Sequence, residues 1–214
     1  MTDSTPLWII SGVIVLFAVM IPTLVITQSR SERKIADRSP DDDWALFPAN
    51  LRSEGFTLWR ILPTAKWTVA EFIIQDEYRR EVARFASRSR FSATITLGER
   101  TIQQFIQRQS RYAGKVGGTS NSSIVFRDGS ALIAEVFTTS SFPRRLFRMI
   151  WHAHEYVINP PTLAVRALAC IRCGDQTVGA FRRSGILSRT VLLAFQSDLD
   201  PELKVLLSSL ALLR

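Results

Sequence analysis

The sequence predicts an all-β closed antiparallel barrel of about twelve strands that encloses a hydrophobic C-terminal α-helix, preceded by one N-terminal transmembrane helix. Three observations predict this fold class. Short β-prone runs recur at roughly ten-residue spacing from residue 55 onward, which is typical of a sandwich or a closed barrel. The segment 200–214 is apolar on nearly all sides, and a helix of this kind must be buried. Residues 7–26 contain no charged side chain.

The uncharged run predicts a transmembrane helix over 7–27, after a short tail of residues 1–6. About twenty helical residues cover ~30 Å, the thickness of the hydrocarbon core of a bilayer. A cleavable signal peptide and a buried core helix are the alternatives. The signal peptide fits less well, because Asp3 is the only charged residue before the run and no A-x-A pattern follows it. We therefore expect an integral, single-pass membrane protein.

Basic residues flank this run only on its C-terminal side, namely Arg30, Arg33, Lys34 and Arg38. The positive-inside rule then places the N-terminus outside and the C-terminal domain in the cytoplasm. Residues 28–54 are predicted to be a linker, and residues 55–214 to be the barrel domain. Two cysteines in a cytoplasmic domain are expected to be reduced.

Alternation of apolar residues is clearest in one predicted hairpin. Residues 91–97 alternate strictly, whereas the returning run 101–108 is less regular because Gln104 shares the face of Ile102, opposite Phe105. A second hairpin is predicted at Asp128-Gly129, since Asp-Gly between two β-prone runs is a strong turn signal.

The last segment is predicted to be a helix over 200–214 that fills the barrel. Asp200 suits the N-cap, Pro201 the first helical position and Glu202 the first turn. Lys204, with two serines, forms the only polar strip among the leucines. Fifteen residues reach only ~22 Å as a helix, which is too short to span a bilayer.

A resemblance to a known family rests on two segments. In residues 154–195 a polar turn precedes the strand VGAFRR over 178–183, and the segment DLDPELKVLLSSLALLR follows. Hairpins closed around such a helix, clearest over 67–214, resemble the tubby C-terminal-like fold of tubby proteins, phospholipid scramblases and LURP-one-related proteins. The chain differs from the scramblases in its N-terminal anchor and in lacking a Pro-rich leader and a calcium-ligand segment. The lipid-binding motif of tubby proteins is not matched residue by residue, so the resemblance implies no lipid site here.

The charge of the chain favours anionic partners. Its formal net charge is +8, with 23 Arg against 4 Lys. Arg suits phosphate and carboxylate, and a basic domain beside an anionic leaflet gains about 1 kcal/mol per well-placed basic residue. Coding bias is the alternative explanation for the excess of Arg. Nucleic acid is not an expected partner, because no helix-turn-helix, zinc-finger or RNA-binding signature is present.

Three arginine doublets near predicted turns are the candidate residues for binding a lipid or a partner protein, with solvated strand ends as the alternative. They are Arg79 and Arg80, Arg144 and Arg145, and Arg182 and Arg183.

Four residues are weak candidates for metal ligands: His152, His154, Cys170 and Cys173. Solvent-facing histidines and small strand cysteines are the alternative interpretation. The sequence contains no G-x-S-x-G, H-E-x-x-H or dinucleotide-binding motif. We therefore expect a non-enzymatic module without a cofactor.

Together these features predict a membrane-anchored module that contacts anionic lipid headgroups or a partner protein at the cytoplasmic membrane face. Two alternatives remain open: a structural subunit of a larger membrane assembly, and a metal-dependent enzyme. Lipid scrambling is a family association that no residue of this chain supports independently.

Overall fold

The computed structural model describes residues 26, 27, 30, 32, 34, 35, 37–64, 70–89, 91–108, 122–141, 144–159, 168–184 and 188–212. Contacts divide the chain into two units, 1–38 and 39–214. The transmembrane helix predicted over 7–27 lies outside the described residues, apart from Ile26 and Thr27. Within the described part of the chain, no helix has the length and apolar character needed to cross a membrane.

Twelve antiparallel strands form a closed barrel in the second unit, which confirms the barrel part of the predicted fold class. Each strand pairs with the next along the chain, and β1 closes the barrel by pairing with both β2 and β12. The strands are β1 (Phe56–Pro63), β2 (Glu71–Gln75), β3 (Glu81–Ser89), β4 (Ser92–Leu97), β5 (Arg100–Arg108), β6 (Ser122–Asp128), β7 (Ala131–Ser141), β8 (Arg144–Trp151), β9 (His154–Asn159), β10 (Ala169–Cys173), β11 (Gln176–Arg183) and β12 (Val191–Gln196).

A hydrophobic helix near the C-terminus belongs to the core of the barrel, as predicted. It spans Pro201–Leu210 and is followed by a turn, so it is shorter than the predicted 200–214. The carboxylate of Asp200 caps it by accepting the N–H groups of Glu202 at 2.8 Å and Leu203 at 3.1 Å. Every residue from Leu203 to Leu210 is buried, and the apolar ones share one cluster with residues from all twelve strands. The helix therefore lies inside the barrel.

Two short helices cover part of the outer face of the barrel. They are α1 (Pro40–Trp44) and α2 (Ala49–Ser53), so the C-terminal helix Pro201–Leu210 is α3. Both fall within the segment predicted to be a linker. Ser39 caps α1 through a capping box with Asp42. Together α1, α2 and the loop between them bury a second apolar cluster against the outward-facing residues of three strands, β1, β11 and β12.

Backbone conformation explains two of the tight hairpins. The predicted turn at Asp128-Gly129 joins β6 to β7, and Gly129 adopts a φ of +56° that favours glycine. His152 and Ala153 join β8 to β9 with φ values of +43° and +66°. Two consecutive positive φ angles match the right-handed twist of a hairpin, and His152 and Ala153 adopt them although such turns favour asparagine and glycine.

Candidate functional site

The antiparallel order of the strands gives the barrel two ends of different charge. Odd-numbered strands finish, and even-numbered strands begin, at what we call the basic end. Even-numbered strands finish at the opposite, acidic end, where α3 also begins. Because sequence-adjacent turns alternate between these ends, residues close in sequence are distributed to opposite sides of the molecule.

Arginines dominate the basic end. Among the described residues at or beside the strand termini there, the one acidic residue is Glu71. Three inter-strand spacings separate β8 from β11, so the doublets that they carry lie roughly 14 Å apart along the rim at about 4.8 Å per spacing. The described basic residues at this end are Arg88, Arg108, Arg144, Arg145, Arg182, Arg183 and Arg189.

The acidic end has the opposite balance. Its basic residues include Arg79, Arg80, Arg100, Arg127 and Arg172. Its acidic residues, in the turns and the adjoining strand and helix ends, are Glu54, Asp76, Glu77, Glu81, Glu99, Asp128, Glu155, Asp175, Asp198, Asp200 and Glu202. The structure therefore places four of the six candidate arginines at the basic end and leaves Arg79 and Arg80 at the other.

Arg80 is held inside the β2–β3 turn. Its guanidinium donates to the carboxylate of Asp76 at 2.7 and 2.8 Å, and the backbone N–H groups of Arg80 and Tyr78 donate to the same carboxylate at 2.9 Å. Burial by itself would raise the pKa of Asp76, but these hydrogen bonds outweigh it and the pKa lies below its ordinary value. Arg80 thus organises a turn, although its side chain stays largely exposed.

Arg79 lies in a cleft between α1 and the β2–β3 turn. Its φ of +62° is in the left-handed region that non-glycine residues seldom adopt. The cleft has a volume of about 130 Å³, and its lining includes Trp44, Arg60 and Asp76. Arg60 projects from the outer face of β1 and forms a buried ion pair with Asp43 of α1 at 2.7 Å. Burial lowers the pKa of Arg60, and the positive charge of Arg79 lowers it further. The carboxylate of Asp43 opposes both effects.

At the basic end, the candidate Arg182 and a further arginine, Arg189, have distinct surroundings. Arg182 donates a hydrogen bond to the backbone carbonyl of Leu46, which ties β11 to the loop between α1 and α2. Arg189 lies just before β12 and places its guanidinium carbon 5.0 Å from the centre of the Phe72 ring. The sequence interpretation missed Arg88 and Arg189, because neither belongs to a doublet. Every second strand connection of a meander lies at the same end of the barrel. Counting the basic residues in those connections would have identified Arg88 and Arg189.

Lys204 is a buried lysine near the start of α3, at the acidic end of the barrel. Its ammonium group donates to the carbonyl of Ser197 at 3.0 Å and lies 5.7 Å from the centre of the Trp59 ring. Burial lowers the pKa of Lys204, while the carboxylates of Glu77, Asp198 and Asp200 oppose the shift. These contacts join α3 to the wall of the barrel, so we assign Lys204 a structural role.

The four metal-ligand candidates do not converge. His152 lies in the β8–β9 turn with its ring edge-on to Trp151, 4.6 Å between ring centres. Cys173 pairs with Tyr156 near the acidic end, whereas Cys170 pairs with Asn159 towards the basic end. Both cysteines are free thiols. In the part of the chain that the structure describes, no three His, Cys, Asp or Glu side chains are grouped as metal ligands would be.

No protein-family model, curated protein or solved structure matches this chain. The fold and the charge distribution described above are therefore the basis for inferring function.

Proposed function

We propose that this chain is a membrane-anchored, non-enzymatic module whose barrel binds an anionic surface through its basic end. The anchor is the apolar segment 7–27, and the flanking charges favour a cytoplasmic barrel. We also propose that the barrel belongs to the tubby C-terminal-like fold. The twelve-strand meander and the buried C-terminal helix support that assignment.

The separation of charge between the two ends is the observation that carries the proposal. Seven arginines against one glutamate surround the described strand termini at the basic end. Each basic residue near an anionic leaflet contributes about 1 kcal/mol, so several acting together suffice for binding. The acidic end is repelled by the same surface, which favours one orientation of the barrel.

A binding assay with residues 39–214 tests this proposal, because this unit contains the whole barrel without the predicted anchor. The fragment would first be shown to have a β-rich circular dichroism spectrum and a cooperative thermal transition. We expect it to float with vesicles that contain anionic lipid, to ignore neutral vesicles, and to dissociate as salt is raised. Equal recovery with neutral and anionic vesicles, or binding that salt leaves unchanged, would contradict the proposal.

A structural subunit of a membrane assembly is the second candidate, and a different surface favours it. Phe137 and Ile150 are 39% and 49% exposed on the outer faces of β7 and β8. They line an open cavity of about 400 Å³ with Arg148 and Glu155. Apolar residues that are exposed together often mark a protein interface. A stoichiometric partner that co-purifies in mild detergent, and that an Ile150→Lys variant loses, would support this role.

A further inference from the structure

A small cavity with polar and apolar lining residues opens inside the barrel at its basic end, between β3, β4 and β5. Its volume is about 40 Å³. A water molecule needs roughly 10–15 Å³ measured in this way, so the cavity has room for about three water-sized groups. Its lining residues are Phe85, Ser87, Ser89, Ser92, Ala93, Gln104 and Ile106.

Gln104 is the residue that sets this cavity apart from the rest of the core. It is 1% exposed, and neither its Oε1 nor its Nε2 has a hydrogen-bond partner. Its neighbours on the same inner face of β5, Ile102 and Ile106, are apolar. A buried amide without partners strongly destabilises a protein, so water or a bound ligand must satisfy Gln104 on this face.

The groups around Gln104 specify the chemistry of that ligand. The amide offers both donors and an acceptor. Ser89 and Ser92 share a hydrogen bond of 2.8 Å, and Ser87 donates to the carbonyl of Ser89, which leaves acceptor capacity on the hydroxyl oxygens. None of the residues that line the cavity is charged. A hydroxyl group, which donates and accepts, fits this lining, whereas a carboxylate or an ammonium group would be buried without a counter-charge.

We propose that this cavity binds the hydroxyl-bearing end of a phosphate ester, with the phosphate outside among the arginines of the basic end. Ser89 ends β3 at the mouth of the cavity, and the exposed Arg88 precedes it directly. The terminal hydroxymethyl group of a glycerol phosphate fits the available volume, and its second hydroxyl would lie at the mouth. The inference rests on the proposed function and narrows its ligand to a hydroxylated anion, whether that is a lipid headgroup or a free phosphate ester.

Calorimetric titration of the full chain in neutral detergent micelles tests the inference. The soluble probes are glycerol 3-phosphate, phosphoserine and inorganic phosphate, and short-chain phosphatidylglycerol represents the lipid source. We expect glycerol 3-phosphate, the short-chain lipid or both to bind on the order of tenfold more tightly than phosphate, the gain expected from one or two added hydrogen bonds. Phosphoserine should show no such gain. Binding of the short-chain lipid alone would identify a headgroup, and binding of glycerol 3-phosphate alone a free ester.

Two substitutions on one strand make the test specific to the cavity. Gln104→Leu should remove the preference for the hydroxylated probe and leave phosphate binding unchanged. Gln103→Leu, on the exposed outer face of β5, should preserve the preference. Because leucine removes a buried amide without partners, Gln104→Leu should fold, which a thermal transition at or above that of the wild type would verify.

The outcomes separate this inference from the proposed function. Equal affinity of the wild type for all probes, or a preference that survives Gln104→Leu, would overturn the cavity as a ligand site and leave it a site for water. Anionic-vesicle binding by residues 39–214 would then still support the basic end. Failure of that vesicle binding, together with no affinity for any phosphate probe, would overturn both.

Discussion

At the residue scale, three consecutive aspartates show that the same residue type has different roles at adjacent positions. Asp41 forms an exposed ion pair with Arg52 at 2.8 Å, Asp42 completes the capping box of α1, and Asp43 is fully buried against Arg60. The sequence shows three adjacent carboxylates within the predicted linker. It does not indicate the buried pair, because Asp43 and Arg60 meet only after α1 has packed on the outer face of β1.

The buried pair of Asp43 and Arg60 should contribute more to stability than the exposed pair of Asp41 and Arg52. Asp43→Asn leaves the guanidinium of Arg60 buried without its counter-charge, so we expect a loss of about 3–5 kcal/mol in the free energy of unfolding. Asp41→Asn, in the same helix, removes an exposed pair and should cost at most about 1 kcal/mol. Urea unfolding of both variants of residues 39–214 measures the difference. Equal losses would contradict the role given to Asp43.

Lys204 should make stability depend on pH in the alkaline range. Its pKa is lowered in the folded state, so the unfolded chain binds more protons between the folded pKa and the ordinary value of 10.5. The free energy of unfolding should therefore rise with pH as Lys204 loses its proton. Lys204→Met removes this contribution, so the wild type should gain stability relative to the variant as pH rises towards 10.5. Parallel pH profiles in urea unfolding would show that burial does not affect this lysine.

At the element scale, local patterns predict individual hairpins and the terminal helix. Packing between segments distant in sequence decides where the cavity lies and whether α1 and α2 form. The Asp128-Gly129 turn and the N-cap at Asp200 form as their residue types indicate. Gln104 breaks the apolar face of β5 in the sequence, and the structure shows that this irregularity marks a cavity. The helices α1 and α2 were not predicted, because their stability depends on apolar contacts with three distant strands.

Gly179 in β11 permits close packing of the side chains that flank it on the neighbouring strands β10 and β12. A Cβ at this position would lie 2.9 Å from Cδ1 of Phe195 and 3.1 Å from Cδ1 of Ile171. Gly179→Ala should therefore destabilise the barrel by about 1–3 kcal/mol through overpacking. Adding Phe195→Leu removes the ring that the new methyl group meets, so the cost of Gly179→Ala should be smaller in that background. A double-mutant cycle by thermal unfolding measures this coupling, and additive losses would contradict the packing explanation.

At the scale of the whole molecule, basic and acidic residues that are mixed along the sequence lie at opposite ends of the barrel, because the strands form a closed meander. The three arginine doublets look equivalent in the sequence, but topology assigns Arg79 and Arg80 to one end and the other two doublets to the opposite end. This separation could not be predicted until the number and order of the strands were known, since one additional strand would move every later turn to the other end.

Charge reversal at the two ends should therefore have unequal effects on binding to anionic vesicles. Arg144→Glu with Arg145→Glu removes about 2 kcal/mol of attraction at the start of β8 and adds repulsion, so affinity should fall by more than about tenfold. Arg127→Glu with Arg172→Glu changes the net charge equally at the acidic end, and both residues are exposed. That control should weaken binding only slightly, because its charges lie beyond about one Debye length, ~10 Å at 0.1 M salt, from the surface. Co-sedimentation of residues 39–214 compares the two variants. Equal losses would show that net charge, and not the basic end, governs binding.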